Sequence, residues 1–253
     1  MKKQMTLRVD FVNRLKGGLL HIGLAPEGDE RLPEMLPGQF VEVAVDKAHV
    51  LLNRPFSIFN CTDRLLELLV KPLGRASEAL GSYEPADSIR VIAPLGHGFT
   101  LAPEGSRVLL IGGGVGIAPL LYLARTLNGR GIRPVIIYGE RTEPDAALCA
   151  RLSEVADLQI CTDDGSAGFH GFVTQHPALT DGSYDLLQVC GPAVMMKNVA
   201  RIARGKGLDA EYSLENKMAC GLGACLCCVE NTTTGNRCVC TDGPVFKADE
   251  LPW

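Results

Sequence analysis

The residues best suited to chemistry are the cysteines that crowd the end of the chain. Cys220-Gly221-Leu222-Gly223-Ala224-Cys225-Leu226-Cys227-Cys228 reads as C-x4-C-x2-C, with Cys238 and Cys240 following. This is the spacing of plant-type [2Fe–2S] centres, in which a more distant cysteine supplies the fourth ligand. A binuclear cluster needs four thiolates around two irons. Small residues at 221, 223 and 224 let the backbone wrap closely, so that N–H groups can face the sulfurs and tune the reduction potential. A structural zinc site built from Cys225-x2-Cys228 and Cys238-x-Cys240 is the competing reading, but zinc has no need of the glycine-rich step before the second cysteine. Spacing does not separate Cys238 from Cys240 as the fourth ligand. The turn signal Thr241-Asp242-Gly243-Pro244 favours Cys240, leaving Cys227 and Cys238 as spares. Cys61, Cys149, Cys161 and Cys190 are scattered and read as core residues.

A second group of residues suits nucleotide phosphates. Gly112-Gly113-Gly114-Val115-Gly116-Ile117-Ala118-Pro119 lies between a buried strand and a helical stretch, where glycines let backbone amides approach a pyrophosphate at the positive helix N-terminus. The run is not a strict G-x-G-x-x-G, and a glycine turn of this kind can equally serve packing alone. Cys190-Gly191-Pro192 follows a later strand and opens another helix, which places it beside the first turn at the carboxyl edge of a sheet. Glu140, ending the second strand of that unit, is positioned to bond a ribose 2′-hydroxyl and repel a 2′-phosphate, so NAD is expected over NADP. Arg54-Pro55-Phe56-Ser57 reads as a Pro-started strand edge with a surface arginine, and Gly74-Arg75-Ala76-Ser77 as a helix cap with or without a phosphate. His21, His49, His97, His170 and His176 lie far apart, and no catalytic acid–base constellation is expected in this chain.

These residues need elements to hold them. The first hundred residues read as six short strands, Thr6–Val12, Leu19–Leu24, Gly38–Val45, Phe56–Asn60, Leu65–Lys71 and Ser88–Ala93, with one helical stretch at Arg75–Leu80. That pattern predicts a small antiparallel β-barrel over 1–102. From 103 to 214 strands alternate with helices: strand 108–111, helix to 127, strand 134–138, helix 145–155, strands 158–161 and 186–190, helix 193–204, strand 210–214. This predicts an α/β domain with a mostly parallel sheet. Residues 215–253 form a cysteine-rich segment with too few apolar residues for a core of its own, so something else must hold it. Leu222, Leu226, Val245 and Phe246 are candidate anchors for a partner, or for packing on the sheet domain.

Composition fits this plan and excludes other classes. The chain has 253 residues, 46% hydrophobic and 21% charged, with a net charge of −4. That is ordinary globular usage with no basic field for nucleic acid or an anionic membrane. The most apolar run, 108–124, falls short of the roughly 20 residues a membrane span requires and is broken by glycines. No apolar stretch backs the two N-terminal lysines, so no secretory signal is read and a cytoplasmic address is expected.

Taken together and in order, Arg54-Pro55-Phe56-Ser57, Gly74-Arg75-Ala76-Ser77, Leu95-Gly96-His97-Gly98-Phe99, the glycine turn at 112–119 and Cys190-Gly191-Pro192 resemble the ferredoxin–NADP reductase superfamily. Lys217-Met218-Ala219-Cys220 through Cys225, with Cys240 through Phe246, is similar to the electron-transfer subunits of two-subunit, NAD-linked dihydroorotate dehydrogenases. The resemblance covers nearly the whole chain. It implies FAD bound by Arg54, Pro55, Phe56 and Ser57, with Leu69, Val70 and Lys71 on the adjoining strand. Gly74, Ala76 and Ser77 would form the phosphate turn, Ala76 replacing a family glycine. NAD would lie at Gly112, Gly113, Gly114, Gly116, Glu140, Cys190, Gly191 and Pro192, and a [2Fe–2S] cluster on Cys220, Cys225, Cys228 and Cys240. It also implies an FMN-containing catalytic partner, in a heterotetramer of two of each chain, that oxidises dihydroorotate in pyrimidine (UMP) biosynthesis. Two other functions compete: a flavin and iron–sulfur subunit of an NADP-dependent ferredoxin or sulfide oxidoreductase, against which the cysteine segment argues, and a zinc-stabilised nucleotide-binding regulatory module.

Overall fold

The computed structural model describes residues 2–253. Six strands, β1 (Lys3–Arg14), β2 (Leu20–Ala25), β3 (Phe40–Val43), β4 (Arg54–Cys61), β5 (Leu66–Val70) and β6 (Ser88–Leu95), close into a barrel of order β1-β2-β5-β4-β3-β6. Every pairing in it is antiparallel. Period-two alternation drives the closure: Met5, Leu7 and Val9 of β1 and Ile89, Val91 and Ala93 of β6 point into one core, with Thr6, Arg8 and Arg90 between them facing out and Ile92 packing against the second core. β3 departs from the alternation expected of it, since all four of its residues are buried. Its second face is covered too: Phe40 belongs to the core of the neighbouring sheet, and the Glu42 side chain lies against Gly221 of the cysteine segment. The short helix α1 (Arg75–Ala79) follows β5 and puts Ala76 into the barrel core.

The second unit runs β7 (Val108–Gly113), α2 (Ala118–Asn128), β8 (Val135–Glu140), α3 (Ala146–Val155), β9 (Asp157–Thr162), β10 (Phe169–His170), α4 (Pro177–Thr180), β11 (Leu186–Cys190), α5 (Ala193–Lys206) and β12 (Asp209–Ser213). β7 is a continuous apolar run because both its faces are covered: Leu109 and Ile111 lie in one core with α5, Leu110 in another with α2. Asp145 caps α3, its Oδ1 accepting from the Ala147 and Leu148 amides at 2.9 and 3.1 Å. β10 and α4 escaped the sequence reading because each is too short to show a period.

The cysteine segment contributes the hairpin β13 (Val229–Thr232) and β14 (Gly235–Cys238), the helical turn α6 (Val239–Asp242) and β15 (Val245–Lys247). β15 pairs antiparallel with β12, placing Phe246 opposite Tyr212, and completes a seven-stranded sheet of order β10-β9-β8-β7-β11-β12-β15. The sheet domain therefore supplies the core that this segment lacks. Phe246 is 1% exposed and Val245 half-buried, so these two serve packing, while Leu222 and Leu226 stay 47% and 63% exposed. Barrel and sheet domain meet through a shared core that joins Leu19, Phe59 and Leu69 to Leu120, Leu121 and Ala124 of α2. Among the described residues no helix is long and apolar enough to cross a membrane.

Phe246 is the main buried anchor of β15. Replacing it by alanine removes a large buried ring and is expected to cost about 3–5 kcal/mol. The midpoint of urea unfolding of Phe246→Ala, followed by tryptophan fluorescence from Trp253, measures this, and an unchanged midpoint would show that β15 does not secure the segment.

Candidate cofactor sites at the domain seam

The sheet order reverses at β7: the chain runs outward through β8 and β9, then returns to β11 on the other side. Ligands of open α/β sheets bind outside the carboxyl ends of the strands at such a point. The two turns expected to share this edge do so. A Cβ on Gly116 would lie 2.5 Å from the Cys190 carbonyl oxygen and 2.6 Å from Gly191 Cα, so the glycine lets the turns stack backbone on backbone. A cavity of about 460 Å³ opens in front of them. Gly113, Gly114, Glu140 and Pro192 line it, whereas Gly112, Gly116, Cys190 and Gly191 are buried behind its wall. Glu140 Oε1 accepts a hydrogen bond of 2.9 Å from the Tyr138 hydroxyl, which aims the carboxylate.

A second cavity of about 360 Å³ lies between barrel and sheet. Pro55, Phe56 and Ser57 of β4 and Leu69, Val70 and Lys71 after it along β5 line one side; Leu214 through Met218, leading from β12 toward the cysteines, line the other. Pro55, Phe56 and Ser57 are half-exposed where the strand borders this opening, and the next three residues, Ile58, Phe59 and Asn60, are buried. Lys71 borders both cavities. Arg54 stands outside the second cavity, its Nη1 donating to the Leu52 and Asn53 carbonyls at 2.7 and 3.0 Å. Gly74, Ala76 and Ser77 also lie beyond it. Gly74 is in extended backbone with open space around it, Ala76 packs into the barrel, and Ser77 Oγ accepts from the Leu73 and Gly74 amides at 2.9 and 3.2 Å. The alanine in place of the family glycine is thus accommodated by the barrel core.

The cysteine loop shows how a weakly apolar segment can present thiolates. The Leu222 amide donates to Cys220 Sγ at 3.4 Å, and the Ala224 and Cys225 amides turn toward the same sulfur. Chiefly through the Leu222 bond, this nest lowers the Cys220 thiol to about 6. Gly223 adopts φ +85°, and a Cβ there would lie 2.8 Å from Thr241 Cγ2, so the loop closes directly onto α6. The Cys240 amide donates to Cys228 Sγ at 3.4 Å, and Cys240 receives the Gly223 amide. Burial pushes the Cys240 thiol up to about 12, and a bound metal cation would favour its thiolate. Thiol contacts join Cys220 with Cys225 and Cys228 with both Cys240 and Cys238, which suits two irons with two thiolates each whichever of the last two is the fourth ligand. Cys238 ends β14 next to Cys228, while Cys240 sits on the helical turn α6 that leads into Gly243 and Pro244. Cys227 is exposed.

Some residues of these sites had no clear mark in the sequence. Asp163 and Asn198 line the first cavity, Asp163 following β9 as Glu140 closes β8, with its amide on the Glu140 carbonyl at 3.1 Å. The Asp163-Asp164-Gly165 turn after a strand was the available signal. Glu215 lines the second cavity, where burial pushes its carboxyl up. Glu42 is 1% exposed, with both carboxylate oxygens unpartnered. Burial, then the Cys220 charge, raises it to about 7 against the opposing pull of Arg54.

Comparison with known proteins bears on these sites. Residues 215–252 match the family model described as the iron-sulfur cluster binding domain of dihydroorotate dehydrogenase B. The chain is 39% identical over 223 residues to the dihydroorotate dehydrogenase B (NAD(+)) electron transfer subunit of Geobacillus thermodenitrificans, covering 85% of this chain and 86% of that one. It is 32% identical over 252 residues to the subunit of the same name from Clostridium acetobutylicum, covering 99% and 98%. Among solved structures, an NADH-dependent reduced ferredoxin-NADP oxidoreductase superposes with a TM-score of 0.84 at 26% identity, over 98% of this chain and 90% of that one. The ferredoxin reductase of carbazole 1,9a-dioxygenase shares the fold, with a TM-score of 0.68 at 24% identity over 82% and 67%.

The paired thiols lead to a graded expectation for single Cys→Ser variants. Iron and sulfide content should fall sharply for Cys220, Cys225, Cys228 and Cys240, and stay near two irons per chain for Cys227 and Cys238. Retained iron in Cys240→Ser with loss in Cys238→Ser would assign the fourth position to Cys238.

Proposed function

Because this chain belongs to the family of dihydroorotate dehydrogenase B (NAD(+)) electron transfer subunits, we propose that it conducts electrons from a catalytic partner subunit through a [2Fe–2S] cluster and FAD to NAD⁺. The electrons originate in dihydroorotate, oxidised at FMN on the partner, in cytoplasmic pyrimidine (UMP) biosynthesis, with two copies of each chain in the complex. One observation carries the reading. The segment from Leu214 to Met218 walls the second cavity and runs straight into the Cys220 loop, while Lys71 borders both cavities, so nucleotide, flavin and cluster sites stand in a row.

Each part of that row has a physical task. Gly113 and Gly114, before the N-terminus of α2, offer backbone amides to a pyrophosphate. Glu140 and Asp163 accept hydrogen bonds from ribose hydroxyls and repel a 2′-phosphate. Phe56, Leu69 and Val70 give the flavin an apolar shelf, with Ser57 and Lys71 as polar groups at its edge and Arg54 free to swing from its loop carbonyls toward a phosphate. A bound flavin exchanges electrons singly or in pairs, which is what couples an iron–sulfur centre to a nicotinamide. The amides of Leu222, Gly223 and Ala224 stabilise negative charge on the cysteine sulfurs. Leu222 and Leu226, exposed on that loop, dock the partner, and the closeness of cluster and interface shortens the path for electrons.

Reconstitution tests the proposal. The purified chain should show flavin and [2Fe–2S] absorption together, oxidise NADH with an artificial acceptor, and support dihydroorotate-dependent NAD⁺ reduction only with the partner present. Turnover of dihydroorotate by the isolated chain would overturn it. For nucleotide choice, wild type should favour NADH over NADPH. Glu140→Gln should raise kcat/KM for NADPH about tenfold, a change of ~1.4 kcal/mol. Equal use of both nucleotides by the wild type would remove Glu140 from the argument.

A further inference from the structure

One polar network lies buried at the edge of the apolar seam between barrel and sheet domain. Glu67 of β5 is 5% exposed. Its Oε2 lies 2.6 Å from His21 Nε2 and accepts from Arg151 Nη1 at 2.7 Å; its Oε1 accepts from Asn60 Nδ2 at 2.5 Å and from Arg151 Nη2 at 3.1 Å. His21, Asn60 and Glu67 sit on barrel strands β2, β4 and β5, whereas Arg151 comes from α3 across the seam. Phe59 packs against both Arg151 and His21, with the guanidinium carbon of Arg151 5.0 Å from its ring centroid and the His21 ring edge-on at 5.3 Å. The same helix is tied a second time at its start, where Asp145 Oδ2 accepts from the Lys16 amide at 2.9 Å and Lys16 Nζ pairs with Glu143 Oε2 at 2.6 Å.

The elements joined here carry the two cavities. β5 starts beside the network and runs to Leu69, Val70 and Lys71, the flavin shelf. α3 follows β8, whose end supplies Gly139 and Glu140 to the nucleotide cavity. We propose that the forked Glu67–Arg151 pair is a positioning device that fixes the nucleotide half of the site against the flavin half, so that nicotinamide C4 and the flavin ring meet at the distance hydride transfer requires. Neither residue touches a cofactor; both act through β5 and α3. Burial alone would raise the Glu67 carboxyl, but the hydrogen bonds of His21, Arg151 and Asn60, with the Arg151 charge, outweigh it and hold the group at about 2. The pair is therefore intact above about 4.5, the ordinary carboxyl value, and is lost only as pH falls toward 2.

The inference rests on reading the two cavities as the NAD and FAD sites, and the experiment separates the two. The FAD- and cluster-loaded complex with its partner is mixed anaerobically with NADH, which loses its C4 hydride, two electrons and a proton, to oxidised FAD and leaves as NAD⁺. Flavin bleaching gives the transfer rate, and the long-wavelength charge-transfer absorbance reports stacking of nicotinamide on flavin independently of turnover. In Arg151→Met the rate is expected to fall about 10- to 100-fold, the scale of an ångström-sized misplacement, with weakened charge-transfer absorbance and unchanged FAD and iron content. Arg151→Lys, which keeps the charge but not the fork, should fall about threefold and decides the matter if Arg151→Met is recovered without FAD. Variants that bleach at the wild-type rate with full charge-transfer absorbance overturn the positioning role. Failure of NADH to reduce the flavin of the wild type would instead overturn the reading of the cavities.

Discussion

Phe59 and Leu69 leave the barrel on its outer side and are buried with Leu120, Leu121 and Ala124 of α2 in a single core. The arrangement of cofactor sites follows from that contact. It brings the ends of β4 and β5 beside the carboxyl edge of the parallel sheet, so that an opening bounded by both units lies next to the turn at Gly113 and Gly114. A sheet folded separately would provide all of the first cavity but Lys71, whereas the second cavity would lose a wall in either unit alone. Burial of apolar area holds them together, and the residues left half-exposed along β4, from Arg54 to Ser57, are those for which no neighbour in the chain provides cover.

The cysteine segment solves a different problem. Its hairpin and loop hold little apolar surface, and its order depends on Phe246 entering the sheet through β15 and on the loop closing over Glu42 and Thr241. The same closure turns backbone amides toward Cys220 and Cys240. A protein that must place a charged cluster near its surface gains from this arrangement: donors are fixed before metal arrives, so little reorganisation accompanies loading, and metal binding in turn stabilises the loop.

What could be read from sequence was whatever carries a local period or a local spacing. The barrel strands announced themselves as short apolar segments between turn residues, the sheet by its apolar runs followed by glycine turns, and the cluster by C-x4-C-x2-C. Boundaries shifted by a few residues, as in β1, which runs from Lys3 to Arg14 because its ends pair with β6 and β2. The burial of both faces of β3 had no local mark, because the cysteine segment that covers its outer face lies far along the chain. β15 is three residues long and is a strand only because β12 offers an open edge. For the same reason Phe246 stood open in the sequence between a partner anchor and packing on the sheet domain, and burial decides for packing. Gly74, Ala76 and Ser77 matched a family motif by spacing, yet the second cavity opens beside Leu73 and Lys71, since the position of a turn relative to a cavity depends on tertiary packing.

Glu67 and Arg151 mark the far limit of legibility, and the reason for a charged pair at that place is physical. Apolar contact is non-directional, so the shared core of Phe59, Leu69 and α2 resists separation of the two units far more than it resists their sliding or rotation. A guanidinium fork on a carboxylate has the opposite character, because two parallel hydrogen bonds hold in one relative orientation. Taking both charges out of water is costly, and an apolar pair of equal volume would serve cohesion as well or better. Here the cost is offset by the Asn60 and two Arg151 hydrogen bonds to the Glu67 carboxylate, with His21 Nε2 beside it, and by resting the guanidinium on Phe59. The net gain is therefore in orientation more than in cohesion. A transfer that depends on the distance between a nicotinamide and a flavin held by different units needs that orientation, and the core alone does not supply it.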